Sequence, residues 1–210
     1  KNVIEFALKN VRKKVNYSST LSVFVATNKN VGVVYENDDL SDIEVVYGGY
    51  AQSKWVAERF LLQLPKDIID LNIFRFGLIT GHSETGMVSK HDYLETFIQG
   101  LIKLGKVPEG DHELISLDVT PVDFAANAMF EISENSANGV YHLANIEGFT
   151  LKMLIDGIQK FGYKITTLSQ KKWVDFIKNR DLDYMTSATT MSLCRLMPSQ
   201  EGFKTLRSMD

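Results

Sequence analysis

One cysteine, Cys194, is the only thiol in this 210-residue chain, so no internal disulfide can close and a reducing compartment, by default the cytoplasm, is implied. No apolar run reaches the ~18 residues of a membrane span. The opening KNVIEFALKNVRKK interleaves charge with apolar residues, where a signal peptide carries an unbroken apolar stretch. Neither sign of charge predominates: 23 Lys and Arg stand against 26 Asp and Glu, a net charge of −3, scattered without runs. That balance leaves no footprint for nucleic acid or for a membrane surface. The four histidines, His82, His91, His112 and His142, fall at no ligand spacing, and with a single thiol the sequence offers no metal site. Repeats, low-complexity tracts and Pro-rich linkers are absent as well. What is plentiful is core material: 44% hydrophobic and 10% aromatic residues suffice for one domain or one and a half.

Periodicity predicts the elements. Val3, Ile4, Phe6, Ala7 and Val11 share a stripe at helical spacing, so residues 2–14 read as a helix. VNYSSTLSVFVA (15–26) reads as a buried strand running into the polar loop NKNVGVVYENDDLSD. GGYAQSKWVAERFLLQL reads as a helix introduced by Gly48 and Gly49, and LNIFRFGLIT (71–80) as a second buried strand. After the loop GHSETG, HDYLETFIQGLIKLG reads as a helix ending near Gly105. HELISLDVTPV leads into the helix DFAANAMFEISE, and GVYHLAN makes a third strand. TLKMLIDGIQKFG is a further helix, KITTLS a short strand, and the remainder mostly helical. Apolar strands separated by helices predict a parallel α/β sheet.

Some features invite function and are read as packing. Gly100 to Lys106 spells G-L-I-K-L-G-K, the opening of a phosphate-binding loop. Val107 stands where Ser or Thr would bind magnesium, so the segment reads as a helix terminus. Met191, Leu193, Leu196 and Met197 around Cys194 suggest a packed helix face with a buried, inert thiol. Trp173, Phe176 and Ile177 form a similar stripe, and the GHSETG loop with His82 and Glu84 reads as solvated.

The constellation that carries chemistry is smaller. Tyr50 and Lys54 stand four apart at the start of a helix, so both side chains lie on one face. An ammonium beside a phenol stabilises the phenolate and makes the tyrosine a better proton donor. Hydride addition to a carbonyl needs such a donor, because negative charge builds on the oxygen. Thr20 closes the strand segment YSST, and its hydroxyl would project at the carboxyl edge of a parallel sheet, where ligands of open α/β folds bind. Arg75, inside an apolar strand, reads as packing or pairing beneath that site.

The order YSSTLSVF, GGYAQSKWVAERFL, FRFGLITGHSETG, TPVDFAANAMF resembles the extended short-chain dehydrogenase/reductase superfamily. GYAQSKWVAE is similar to the signature of thioester reductase domains, which terminate nonribosomal peptide synthetases, α-aminoadipate reductases and carboxylic acid reductases. The resemblance covers about residues 1–165. It implies an NAD(P)-binding Rossmann fold with NADPH as cofactor, and a phosphopantetheine-bearing carrier protein as partner, presenting an acyl thioester. It also implies catalytic roles for Thr20, Tyr50 and Lys54, with Tyr50 and Lys54 also at the cofactor. Gly77, Leu78 and Ile79 would lie against the nicotinamide, and Ser19 would line the same edge. The implied reaction reduces the thioester carbonyl, releasing an aldehyde and a free thiol. The alternatives are another extended short-chain reductase, such as a fatty acyl-CoA reductase or a nucleotide-sugar epimerase or dehydratase, and a non-catalytic interaction module.

One departure from the family pattern shapes the rest. Such a fold needs a strand, a Gly-rich turn and a helix whose amino end holds the pyrophosphate. The fourteen glycines nowhere form G-x-G-x-x-G or G-x-x-G-x-x-G. The expectation is therefore a partial Rossmann fold lacking its amino-terminal Gly-rich βαβ half, a fragment of a longer polypeptide with a smaller, mainly helical substrate portion. Residues 1–80 and 117–146 would form the core, 81–116 and 147–210 the substrate and lid portions. The isolated chain would bind NADPH poorly, and the sheet edge left without its amino-terminal segment would be open to dimerisation.

Overall fold

The computed structural model describes residues 2–24, 33–40, 46, 48–90, 92–145, 147–179 and 181–196. Val25, Ala26, His91, Met197, the side chain of Leu196 and residues 28–32, 41 and 42 of the predicted loop lie outside the described residues. In chain order the first elements are α1 (Asn2–Leu8), β1 (Lys14–Thr20), a 3-10 helix (Leu21–Phe24), α2 (Gly49–Leu62), β2 (Asp70–Phe76) and β3 (Leu78–Thr80). Next come α3 (Tyr93–Leu104), β4 (Lys106–Pro108), β5 (Ser116–Leu117), β6 (Val119–Pro121), α4 (Val122–Asn135) and β7 (Val140–Leu143). The last are β8 (Phe149–Thr150), α5 (Leu151–Lys160), β9 (Thr166–Leu168), α6 (Gln170–Lys178) and α7 (Tyr184–Leu196). The chain forms two compact units: Lys1–Ile79 with Val119–Asn145, and Thr80–Asp118 with Ile146–Asp210.

The first unit holds a parallel sheet in the order β1-β2-β7, the arrangement that apolar strands separated by helices predict. β1 and β2 pair along their whole length, from Lys14 with Asp70 to Thr20 with Phe76. Alternation along β1 divides its side chains between two helices. Lys14 donates to the Ser133 carbonyl of α4 and Asn16 to its hydroxyl, whereas the Ser19 side chain meets Glu58 of α2, and the Ser18 main-chain carbonyl accepts from Lys54 of the same helix. Ile73 and Phe74 in β2 are 1% and 0% exposed, each contributing about 1.5–3 kcal/mol by burial. Beside α2, Val23, Phe24, Leu40, Val46 and Ala51 form a cluster on which Leu21, Val34 and Trp55 pack.

The largest differences from the sequence reading fall in α1, β1 and the strand read over 71–80, the other boundaries shifting by a residue or two. The first helix stops at Leu8 because Asn10 adopts the left-handed conformation (φ 64°), which ends the helix well before residue 14. β1 ends at Thr20, whose hydroxyl accepts the Ser22 N–H and turns Leu21–Phe24 into the 3-10 helix, so the strand stops short of Leu21. The strand predicted over 71–80 breaks at Gly77. Its N–H still bonds the Leu143 carbonyl, after which Leu78–Thr80 pairs with β6.

In the second unit α3 packs on α7. Asp92 caps α3 by accepting the N–H groups of Leu94 and Glu95, and Gly105 closes it in the left-handed conformation (φ 59°). Gly100, halfway along, lets α7 approach so closely that a Cβ there would lie 1.9 Å from the Thr189 hydroxyl. The G-L-I-K-L-G-K segment is thus a helix end packed on a helix. β4 pairs in parallel with β9, β5 pairs antiparallel with β8, and Trp173 and Ile177 of α6 are buried. Cys194 is buried, and that burial raises its thiol pKa.

Candidate active site

Gly48 turns the chain into α2 at φ 85°, a conformation that a side chain would resist. Tyr50, Lys54 and Glu58 follow at four-residue intervals and so share one stripe of the helix. Tyr50, at the head of the helix, is 63% exposed. Lys54 is anchored: its Nζ donates to the Ser18 carbonyl at 2.8 Å and lies 5.3 Å from the centre of the Tyr17 ring. Burial, and then the proximity of Glu58 and Tyr50, raise the pKa of the Tyr17 phenol, so it remains neutral.

Glu58 is fully buried. Ser19 Oγ donates to its Oε1, and Arg75 Nε donates to Oε2 at 2.9 Å and to Oε1 at 3.3 Å. Arg75 Nη2 stands 2.8 Å from Oε2 as an ion pair, without the alignment of a hydrogen bond. Ser19 and Arg75 are register partners across β1 and β2, as are Arg75 and His142 across β2 and β7, so the three make one rung of the sheet. Arg75 Nη1 donates to the Glu36 carbonyl at 3.3 Å and faces His142 Nε2 at 3.2 Å, and the guanidinium lies 4.8 Å from the centre of the Phe24 ring. A guanidinium only donates, so His142 Nε2 accepts and its proton sits on Nδ1. Burial lowers the His142 pKa against the opposing pull of Glu36, and the Arg75 cation lowers it further. The Glu36 carboxyl is itself held below its usual value, first by its own backbone N–H and then by that of His142.

Thr20 is the last residue of β1 and is 6% exposed. Its hydroxyl accepts from the Ser22 N–H and donates to the Ser22 hydroxyl, each at 3.2 Å. The Ser19 hydroxyl is given to Glu58, and Gly77 to Ile79 lead from β2 into β3. The structure therefore joins Ser18, Ser19, Lys54, Glu58 and Arg75 by hydrogen bonds, while the described bonds of the Thr20 hydroxyl remain in its own turn. Arg75 pairs beneath the Tyr50–Lys54 stripe. Glu58 escaped the sequence reading, though two signals pointed to it. It is an acidic residue on that stripe, and Arg75, embedded in the apolar strand LNIFRF, needs a counter-charge.

Among the described residues each unit holds a cavity, and Glu36, which meets Arg75 and His142, also lines that of the first unit. In the first unit a cavity of about 290 Å³ is lined by Leu61, Leu64, Ile69, Leu71, Ile73 and Val140, at the amino ends of β2 and β7. In the second, about 270 Å³ is lined by Thr80, His82, Asp92, Glu95 and neighbours, where the GHSETG loop closes on itself through His82 N–H to the Met87 carbonyl.

Comparison with known proteins agrees with this architecture. A linear gramicidin synthase polypeptide of Brevibacillus parabrevis is 30% identical over 193 residues, 89% of this chain and 4% of the synthase. The L-2-aminoadipate reductase large subunit of Eremothecium gossypii is 29% identical over 145 residues, 67% of this chain and 10% of that protein. Among solved structures, the terminal R domain from the myxalamid PKS-NRPS biosynthetic pathway superposes with a TM-score of 0.73 at 27% identity. That match covers 97% of this chain and 48% of the R domain, so the chain spans about half of that domain and a small part of the two synthetic enzymes. The family model described as Male sterility protein, an NAD-binding type, matches residues 1–129, more than half of the 210, and the chain belongs to that family.

Proposed function

We propose that this chain carries the reacting residues of an NADPH-dependent thioester reductase, which releases a carrier-bound acyl or peptidyl chain as an aldehyde. The observation that carries this reading is the joint at the carboxyl end of β1. There Lys54 is fixed to the Ser18 carbonyl, with Tyr50 one turn nearer the amino end of the same helix and Thr20 two residues beyond Ser18. Open α/β sheets bind their ligands at that edge. The residues present suit the nicotinamide end of a dinucleotide: an ammonium at Lys54 for the ribose, and the backbone of Gly77, Leu78 and Ile79 for the ring. A bound nicotinamide supplies hydride to the thioester carbonyl. The Tyr50 phenol then meets the developing negative oxygen and protonates it, the Lys54 charge stabilises the phenolate left behind, and the hemithioacetal so formed breaks its C–S bond, its hydroxyl proton passing to the sulfur, to give the aldehyde and the free carrier thiol. Thr20 holds the same oxygen once its hydroxyl turns from Ser22. Similarity to the aminoadipate reductase and to the R domain of a peptide-synthetase pathway supports both the reductase chemistry and a phosphopantetheine-bearing carrier as donor of the substrate.

β1 is an edge strand among the described residues. An unpaired strand edge of this kind accepts a further strand, from another segment or from a second copy of the chain. The test of the function uses the longest polypeptide containing this chain, given an acyl-pantetheine thioester with NADPH or NADH, and a nucleotide sugar as control. Consumption of NADPH with aldehyde release is the expected result, and Tyr50→Phe should lower kcat by about 10²–10⁴-fold while the cofactor Kd changes little. An unaffected rate in Tyr50→Phe, or turnover of the sugar alone, would remove the assignment.

A further inference from the structure

Accepting Tyr50 and Lys54 as the reacting pair, we infer that Glu58 is a positioning residue, which with Arg75 and Ser19 sets the height at which α2 stands over the carboxyl end of β1. The stripe Tyr50, Lys54, Glu58 runs down the helix toward the sheet interior, from 63% exposed at Tyr50 to fully buried at Glu58. Glu58 lies about 12 Å along the axis from Tyr50. It meets the one rung spanning all three strands that carries a charge, with Ser19, Arg75 and His142 side by side. The donors that reach its carboxylate, Ser19 Oγ and the Arg75 guanidinium, both come from that rung.

Arg75 is in turn held in place from the other side. Its Nη1 is turned to the Glu36 carbonyl and to His142 Nε2, and the Phe24 ring covers the guanidinium. An apolar helix face can slide along a sheet with little loss, because hydrophobic contact has no direction. A carboxylate held by an aimed hydroxyl and an aimed guanidinium closes at one helix height only. Residue 18, whose carbonyl holds Lys54, directly precedes Ser19, so the two joints share one peptide of β1. A misplacement of ~1 Å at a reacting group costs about 10²-fold in rate, which makes the buried pair a kinetic device more than a stabilising one. Replacing a buried ion pair with apolar residues of like volume is often neutral for stability.

That contrast defines the experiment, made in the longest polypeptide containing this chain. The variant Glu58→Leu with Arg75→Met should unfold at the wild-type denaturant midpoint and bind NADPH with a Kd within about threefold, yet reduce the thioester with kcat lowered about 100-fold at nearly constant KM. Ser19→Ala, which leaves the ion pair intact and is a small change, should lower kcat about tenfold in the same pattern and serves if the double variant does not fold. Wild-type kcat in either folded variant, beside an inactive Tyr50→Phe, would overturn the positioning role and leave the function standing. An active Tyr50→Phe would overturn the reading of the pair itself.

Discussion

Glu58 and Arg75 have both left water entirely, so each depends on the other for its charge to be tolerated. Removing one partner alone strands the other: Arg75→Met by itself leaves a buried carboxylate with only the Ser19 hydroxyl, and a loss of about 3–5 kcal/mol is expected. Urea unfolding followed by circular dichroism measures it, and a loss below about 1 kcal/mol would mean that water reaches the pair. His142, on the same rung, gives a pH signature. Its folded pKa is depressed, first by burial and then by the Arg75 cation, so the unfolded chain takes up a proton at higher pH than the folded one does. The unfolded state then binds more protons, and stability falls as the pH drops through about 6.5 and levels off below the folded value. Glu36, whose carboxyl is held below its usual value, loses its share only in a lower window, under about pH 4.3. Denaturant midpoints between about pH 7 and about pH 5.5 should therefore decline in the wild type and flatten in His142→Gln, which keeps an acceptor for Arg75.

At the scale of elements, the contact between α3 and α7 depends on the lack of a side chain at Gly100. Alanine is favoured over glycine in a helix by about 1 kcal/mol, so Gly100→Ala would stabilise an isolated helix. Here the new Cβ would meet Thr189 Oγ1 at 1.9 Å and the Met185 carbonyl at 2.9 Å, so two helices must separate. Overpacking of this kind costs about 1–3 kcal/mol, and a lowered thermal midpoint is the expected result, where a raised one would show that α7 yields freely. The carboxyl end of α3 was legible in the sequence because its stop is local chemistry, a left-handed glycine at Gly105, whereas the Asp92 cap sets the helix start at Tyr93, two residues after the His91 read there. α1 and β1 were read too long for the converse reason. The turn of Asn10 into the left-handed region and the bond of Thr20 to Ser22 leave the apolar pattern undisturbed, and periodicity runs on through them. The pairing of Tyr50 with Lys54 on one helix face was legible from their spacing, a local property. Glu58 was not, because its partner lies on another element and becomes a neighbour only once β1 and β2 pair in the register that sets Ser19 beside Arg75.

For the molecule as a whole, the open edge of the sheet and the missing glycine motif bear on the same experiment. The strand order β1-β2-β7 leaves one side of β1 without a partner among the described residues, and the chain spans 48% of the R domain it superposes on. In a dinucleotide fold much of the cofactor's binding comes from a glycine-rich turn that brings a helix amino end to the pyrophosphate. None of the fourteen glycines here lies in such a motif, and in the proposed function Lys54 and the Gly77–Ile79 backbone serve only the nicotinamide end. The 210 residues alone should therefore show no micromolar heat of binding with NADPH, because the proposed ribose contact and ring-facing backbone would supply a small part of the free energy a micromolar Kd requires, about 8 kcal/mol. The longest polypeptide containing this chain, titrated under the same conditions, should show that heat. Micromolar binding by the 210 residues themselves would mean that the pyrophosphate is held by a surface other than a glycine-rich turn, and the reading of Lys54 and Gly77–Ile79 as the nicotinamide end would have to be redrawn around that surface.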